Sequence, residues 1–295
     1  MNACTLCPRN CRTDRSSSCG FCGAYDKPRI ARIGLHHYEE PPISGFLGSG
    51  AVFFSGCNLR CVFCQNHELR DGRAGEVFDI SRLADAFLHL QKQGAHNVNL
   101  VTPTPHIPAI AEALHLAKER GLKIPIVFNT NAYTSVSALL RLEGLIDIYL
   151  PDFKYKSAEL ALRFSSANAY FETAKAAISE MLRQVGNLKT DERGIALRGV
   201  LIRHLVLPGC AFDSRAIIAE IAASFGTDTH LSLMRQYAPL PDMPKPLNRR
   251  ITDREYQSCI DACEAVGLKN VFIQGRDSAS LEYTPAFFNS NVITE

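Results

Sequence analysis

Two hydrophobic repeats alternate along the chain. Short apolar runs recur at Val52 to Ser55, Val98 to Val101, Ile124 to Phe128, Ile146 to Leu150, Gly199 to Val206, Leu231 to Met234 and Val271 to Ile273. Runs this short predict buried strands. Between them, apolar residues return every three or four positions. Asp79 to Gln93 carries Leu83, Ala86, Phe87 and Leu90 on one face, and Ile107 to Arg120 carries Ile110, Ala113, Leu114 and Ala117. Ala169 to Val185, Asp213 to Phe225 and Thr252 to Val266 repeat the helical pattern. Asp79 and Thr252 are N-cap residues, Glu255 completes a capping box with Thr252, and Gly94, Gly121, Gly226 and Gly267 stand where helices end. Strand-helix alternation predicts an α/β fold with a parallel sheet and right-handed crossovers. About six units predict a partial (β/α)6 TIM-like barrel rather than a closed eightfold one. Pro239 to Arg250 is predicted as the long irregular loop.

In such a barrel the active site lies at the carboxyl ends of the strands. Polar residues gather there: Thr102-Pro103-Thr104-Pro105-His106, Asn129-Thr130-Asn131-Ala132-Tyr133, Pro151-Asp152-Phe153-Lys154-Tyr155, Arg203-His204, and Met234-Arg235-Gln236-Tyr237. Polar residues at successive strand ends are what a ligand-binding rim requires.

Composition narrows the class. The chain has 295 residues, 46% of them apolar, enough for one large core. Lys and Arg number 32 against 30 Asp and Glu, a balance that makes no case for nucleic acid. The sequence shows neither a leader pattern nor a membrane-length apolar run, so no membrane association is expected. Eleven cysteines in such a chain predict reduced thiols serving metals in a cytoplasmic setting.

Three of those cysteines, Cys57, Cys61 and Cys64, fall within eight residues directly after the first strand. Soft thiolates select iron-sulfur clusters, zinc or cuprous ion. A cubane has four irons, and Asn58, Gln65 and Asn66 are poor substitutes for a fourth thiolate, so one iron would stay open to a small molecule. An open metal position indicates catalysis, whereas a zinc knuckle would call on His67. Five more thiols, Cys4, Cys7, Cys11, Cys19 and Cys22, crowd an N-terminal stretch otherwise rich in polar residues, Gly and Pro. Such a stretch needs a metal to hold a shape. Cys4, Cys7, Cys11 and Cys22 are the expected ligands, with Cys19 as the substitute for Cys4, and either zinc or a second iron-sulfur cluster as the metal. Cys259 and Cys263, one turn apart in the last helix, are expected in the core, as is Cys210.

The spacing Cys-x3-Cys-x2-Cys, with Phe63 before the last cysteine, resembles the cluster loop of the radical S-adenosylmethionine (SAM) superfamily. That resemblance implies that Cys57, Cys61 and Cys64 hold a 4Fe-4S cluster whose open iron chelates SAM, with Phe63 against the adenine. Reductive cleavage would then yield a 5'-deoxyadenosyl radical that abstracts a substrate hydrogen. Cys-Pro-Arg-x-Cys near the N-terminus, Glu39 to Gly45, Asp147-Ile148-Tyr149-Leu150-Pro151-Asp152 and Arg203 to Gly209 resemble the pyruvate formate-lyase activating enzyme-like, glycyl-radical activase branch. In that branch a Gly-Gly-Glu segment receives the SAM amino group; Thr102 to Thr104 stand in its place here. Asn129 and Asn131 lie where activases have Asp-Thr-Asn-Gly, and Asp152 and Lys154 match their Asp-x-Lys. Activases place an Asp pair around a monovalent cation; Asn129 replaces the first Asp. Arg203 aligns with an arginine that approaches SAM, and Gln236 completes the cofactor-contacting set.

The expected organisation is a Cys-rich appendage and crossing segment (1–48), a barrel (49–275) and a tail (276–295). The expected function is hydrogen abstraction from a protein glycine. The alternatives are modification of a peptide or small molecule, or a non-catalytic iron-sulfur or zinc sensing or docking protein. The resemblance implies an electron donor such as flavodoxin or ferredoxin. An open barrel mouth would suit a protein substrate, and a mouth covered by the appendage a smaller one. Glu39 and Glu40 either line that mouth or are solvated. No histidine is required, because hydrogen abstraction by a radical needs no general base.

Overall fold

The computed structural model describes residues 4–278, 287 and 292–293. Its strands are β1 (Arg29–His36), β2 (Ser49–Phe54), β3 (Glu76–Val77), β4 (Val98–Val101), β5 (Ile126–Thr130), β6 (Ile148–Pro151), β7 (Lys189–Thr190), β8 (Ala196–Leu205), β9 (His230–Met234) and β10 (Asn270–Ile273). The helices are α1 (Pro41–Ser44), α2 (Ile80–Lys92), α3 (Ile107–Glu119), α4 (Val136–Leu139), α5 (Ala158–Ser165), α6 (Tyr170–Val185), α7 (Ala211–Phe225) and α8 (Asp253–Ala265).

The sheet runs β10-β9-β8-β6-β5-β4-β2-β1-β3, with β7 paired to β8. From β2 to β10 every neighbour along this path is parallel, while β1 is antiparallel to both β2 and β3. The path begins and ends on different strands, which is the open TIM-like barrel the alternation predicts. Every residue of β2, β4, β5 and β6 is buried, because helices cover the sheet outside and side chains fill it inside. All seven predicted strands are present, and the long helices match within two residues.

The caps act as their residue types require. The Asp79 carboxylate accepts the Arg82 amide at 2.8 Å, and Thr252 with Glu255 forms the capping box of α8. Cys210, Cys259 and Cys263 are buried, in accord with their expected packing role. Pro239 to Arg250 lies in the irregular connection between β9 and α8.

Six elements lie outside the sequence reading: β1, β3, β7, α1, α4 and α5, of which β3, β7 and α1 are only two to four residues long. β1 falls in the stretch taken as appendage and crossing segment, yet it pairs with β2 from Ile30 to His36. Its two arginines and its glycine hide the strand pattern. α5 and α4 are too short to show a helical period. Of the tail (276–295), residues 279–286, 288–291 and 294–295 lie outside the described residues.

Candidate active site

The loop after β2 is fixed from three sides. Gly56 takes φ +100°, and a Cβ there would stand 2.8 Å from the Cys22 carbonyl, so the appendage presses directly on the residue before Cys57. The Gly56 and Cys57 amides donate to Leu69 and Arg70 carbonyls at 2.6 and 3.1 Å. Arg60 and Val62 amides donate to Ser165 and Phe164 at the end of α5, at 3.0 and 2.8 Å. The missed helix α5 is therefore the seat of the cysteine loop.

Cys57, Cys61 and Cys64 line one cavity of about 270 Å³ at the carboxyl ends of the parallel strands. Donors point at their sulfurs. The Leu59 amide lies 3.4 Å from Cys57 Sγ, Asn131 Nδ2 lies 3.5 Å from the same atom, and the Ser165 hydroxyl lies 3.0 Å from Cys61 Sγ. The Asn66 amide faces the Cys64 sulfur. Burial, reinforced by the neighbouring Cys61, pushes the Cys57 thiol up to about 11 and the Cys64 thiol to about 12. A metal must displace those protons, and the donors then hold thiolate charge.

Among the described residues no three His, Cys, Asp or Glu side chains close tightly enough to grip one ion. The trio thus does not make the tight tetrahedral zinc cage of a structural site. Three soft donors around one cavity, each sulfur hydrogen-bonded, fit an iron-sulfur group with one ligand position left to a bound molecule.

Beneath the loop lies a buried charged network. Arg203 on β8 meets Asp152 at 2.9 Å, Glu39 at 3.1 Å and the Asn129 side-chain oxygen at 2.6 Å. Glu39 Oε1 accepts from Asn99 and Asn129 side-chain amides at 3.0 and 3.1 Å, and Lys154 meets Asp152 at 2.8 Å. Burial opposes the charge on Asp152, but Lys154 and Arg203 outweigh it and hold the carboxyl below its usual range. Lys154 is likewise desolvated, and Asp152 with Cys61 keeps its affinity for the proton raised. Arg203 is saturated by protein carboxylates, whereas Lys154 has one carboxylate partner and lies toward Cys61. Lys154 is therefore the cation of this pair better placed to meet an anionic ligand group in the cavity.

Of the two expectations for Glu39, lining the mouth is the one that holds, since Glu39 lines the cavity. It is neither at a solvated surface nor on a loose crossing segment: its side chain is 12% exposed. Pro41 and Pro42 start α1 and aim the preceding residues into the barrel. Glu40 is buried too, and burial pushes its carboxyl up.

The cavity also brings together Phe63, Thr102, Asn129, Asn131, Asp152, Lys154, Arg203 and Gln236, all expected at the rim. Phe63 packs edge-on to Tyr237 with ring centroids 6.2 Å apart, a partner the sequence did not single out. Gln236 Oε1 accepts from Gln274 at 3.1 Å. Thr104 is not among the lining residues; its hydroxyl is engaged by Thr130 and Thr134 at 3.0 and 2.8 Å. Thr102 takes φ +61° and Ala132 φ +58°, so both turns keep left-handed backbone without glycine. His106 is fully buried, its ring nitrogen 2.9 Å from the Ser55 carbonyl, and burial lowers it to about 3. His204 meets the Phe153 carbonyl at 2.7 Å and is lowered by burial to about 4. Both are neutral packing groups, which agrees with a chemistry that requires no histidine base.

Residues 51–191 match the family model of the radical SAM superfamily. The match spans just under half of the chain, and the superfamily it describes is one of enzymes that use a 4Fe-4S cluster and SAM. A curated relative, the uncharacterized protein MJ0674 of Methanocaldococcus jannaschii, is 28% identical over 284 residues, covering 91% of this chain and 76% of the relative. Among solved structures, the FeFe-hydrogenase maturase HydG from Carboxydothermus hydrogenoformans superposes with a TM-score of 0.52 at 15% identity, covering 78% of this chain and 55% of that one. Native anSMEcpe with bound AdoMet and Kp18Cys peptide gives 0.52 at 13% identity over 74% of this chain and 60% of that one. The chain spans less than two thirds of these solved chains, and at such identities the likeness is one of fold. No described helix is long and apolar enough to cross a membrane.

Proposed function

We propose that this chain is an activase-like radical SAM enzyme that removes a hydrogen atom from a glycine of a protein substrate. The observation that carries the radical reading is the set of three sulfur-hydrogen-bonded cysteines opening into one cavity with Lys154 and Asp152. A cluster held there would supply one electron to SAM and yield a carbon radical able to abstract hydrogen. The chain's own residues do the rest. Cys57, Cys61 and Cys64 bind the cluster, and the hydrogen bonds from Leu59, Asn131 and Ser165 stabilise their charge. Lys154 pairs with the carboxylate of SAM, an anion for which a buried ammonium is a strong partner. Asn129 and the Thr102 turn face its amino end, and Phe63 with Tyr237 walls the apolar side.

The choice of a protein substrate rests on the mouth of the cavity. No residue between 4 and 28 lines it, so the appendage leaves that side to an incoming chain. Tyr38 stands at the rim with its residue 62% exposed. Flavodoxin or ferredoxin is the proposed class of electron donor.

The test is anaerobic. The reconstituted protein is given SAM and a strong reductant, and 5'-deoxyadenosine and methionine are quantified beside Cys57→Ala. Both products are expected from the intact protein alone. A reduced, cluster-bearing protein that makes neither would instead be a sensing or docking protein. Deuterium transfer into 5'-deoxyadenosine from a glycine-deuterated protein, against a deuterated peptide, then separates the substrate classes.

A further inference from the structure

The appendage thiols Cys4, Cys7, Cys11, Cys19 and Cys22, expected to hold a metal, make no group among the described residues that closes on one ion, and Cys11 and Cys19 are exposed. What the appendage does present is a cationic and aromatic surface on the back of the cysteine loop. Phe21 is 40% exposed despite its large apolar side chain. Its ring lies between two guanidiniums, Arg9 at 3.7 Å and Arg60 at 4.2 Å from the ring centre. Both arginines are anchored to the loop. Arg9 donates to the Asn58 carbonyl at 3.0 Å and to the carbonyl of Ser166, the residue after α5, at 2.5 Å. Arg60 donates to the Cys57 carbonyl at 2.7 Å, to the Leu59 carbonyl at 3.1 Å and to the Phe21 carbonyl. All these acceptors are neutral backbone groups, so no carboxylate cancels the charge of either guanidinium among the described residues. Arg70, whose carbonyl accepts the Cys57 amide at 3.1 Å, adds a third guanidinium, and Asp71 pairs with it at 3.3 Å.

We propose that this surface, centred on Phe21 and flanked by Arg9 and Arg60, docks a small acidic one-electron carrier protein that feeds the cysteine loop. The inference rests on the radical reading above and adds to it the place where the electron enters. Two observations select this occupant. The cavity side of the loop belongs to SAM and substrate, and no described residue between 4 and 28 lines it, so a carrier seated on Phe21 stays clear of both. The reverse side sets uncancelled positive charge beside an exposed aromatic ring. Aromatic and arginine side chains anchor interfaces, and charge of one sign steers a partner of the other. Arg60 joins that surface to the loop, because its guanidinium bridges the Phe21 ring and the Cys57 carbonyl. In the transfer the carrier is oxidised by one electron and the cluster reduced by one, and no bond forms or breaks. An interface of this kind is small and transient, as electron-transfer encounters are.

The test separates docking from chemistry. Binding of oxidised flavodoxin, a carrier of this charge, to the reconstituted full chain is measured at low and high ionic strength. The affinity should fall with salt, and Phe21→Ala should weaken it about tenfold. Should Phe21→Ala fail to fold, Arg9→Gln, which keeps the ring and removes one charge, should show a smaller loss of the same kind. Reduction of the cluster by flavodoxin hydroquinone, followed by stopped-flow absorbance, should slow in the same variants. Dithionite needs no docking face, so with it both variants should be reduced, and should cleave SAM, as the intact protein does. Unchanged flavodoxin binding in both variants, or an affinity indifferent to salt, overturns the proposal. Equal slowing with dithionite would make Phe21 a prop for the loop and overturn it as well. A cluster-bearing protein that binds flavodoxin through Phe21 yet makes no 5'-deoxyadenosine with dithionite would support the docking surface and overturn the radical reading instead.

Discussion

At the scale of single residues, the buried network around Arg203 sets the strongest constraints. Glu39→Gln removes one of its two carboxylates while Asp152 stays, and a cost of about 2 kcal/mol is expected. Arg203→Met leaves Glu39 without its ion-pair partner and Asp152 with Lys154 alone, and should cost more, about 3–5 kcal/mol. Urea denaturation measures both, and equal losses would contradict a shared network. The opposite sign is expected at Thr102. A β-branched residue at φ +61° is strained, and it forms no side-chain hydrogen bond among those described. Thr102→Gly should raise stability by about 1 kcal/mol, read as a higher Tm, provided the turn is kept.

At the scale of elements, α5 decides how the cysteine loop sits. Its terminal Ser165 bonds both Cys61 Sγ and Tyr155, at 3.0 and 2.7 Å. Ser165→Ala removes a donor to a cluster ligand, so the reduced state loses stabilisation and the midpoint potential should move to a more negative value. A redox titration followed by electron paramagnetic resonance reads this, and an unchanged potential would sink the assigned role of Ser165. In α8, Thr252→Ala should cost about 1 kcal/mol by opening its capping box, seen in thermal unfolding.

At the scale of the whole molecule, two neutral histidines make the fold acid-sensitive. His106 and His204 are lowered by burial to about 3 and about 4. Below pH 6.5 the unfolded chain takes up protons at these sites and the folded chain does not. Stability is therefore full above about pH 6.5 and falls as pH drops toward 4, by up to about 1.4 kcal/mol per pH unit for each histidine. Urea midpoints at pH 7 and pH 5 test this. A flat profile would mean that neither ring is desolvated in solution.

The linear pattern determined the order of strands and helices, because each buried strand is a run of apolar residues and each long helix keeps one apolar face. It also marked the catalytic trio, since three soft ligands in a short loop must lie near one another whatever the fold. Most of the rim residues were legible for a similar reason: parallel strands bring their carboxyl ends to one side. Thr104 shows the limit, because the same strand-end position can turn inward to meet Thr130 and Thr134. What only the tertiary structure decided was which distant charges meet. Glu39 is 164 positions from Arg203 in the chain, and no local spacing connects them. Antiparallel β1 and the two prolines of α1 carry Glu39 into the barrel interior, where low polarity makes an unpaired charge costly and the pairing selective.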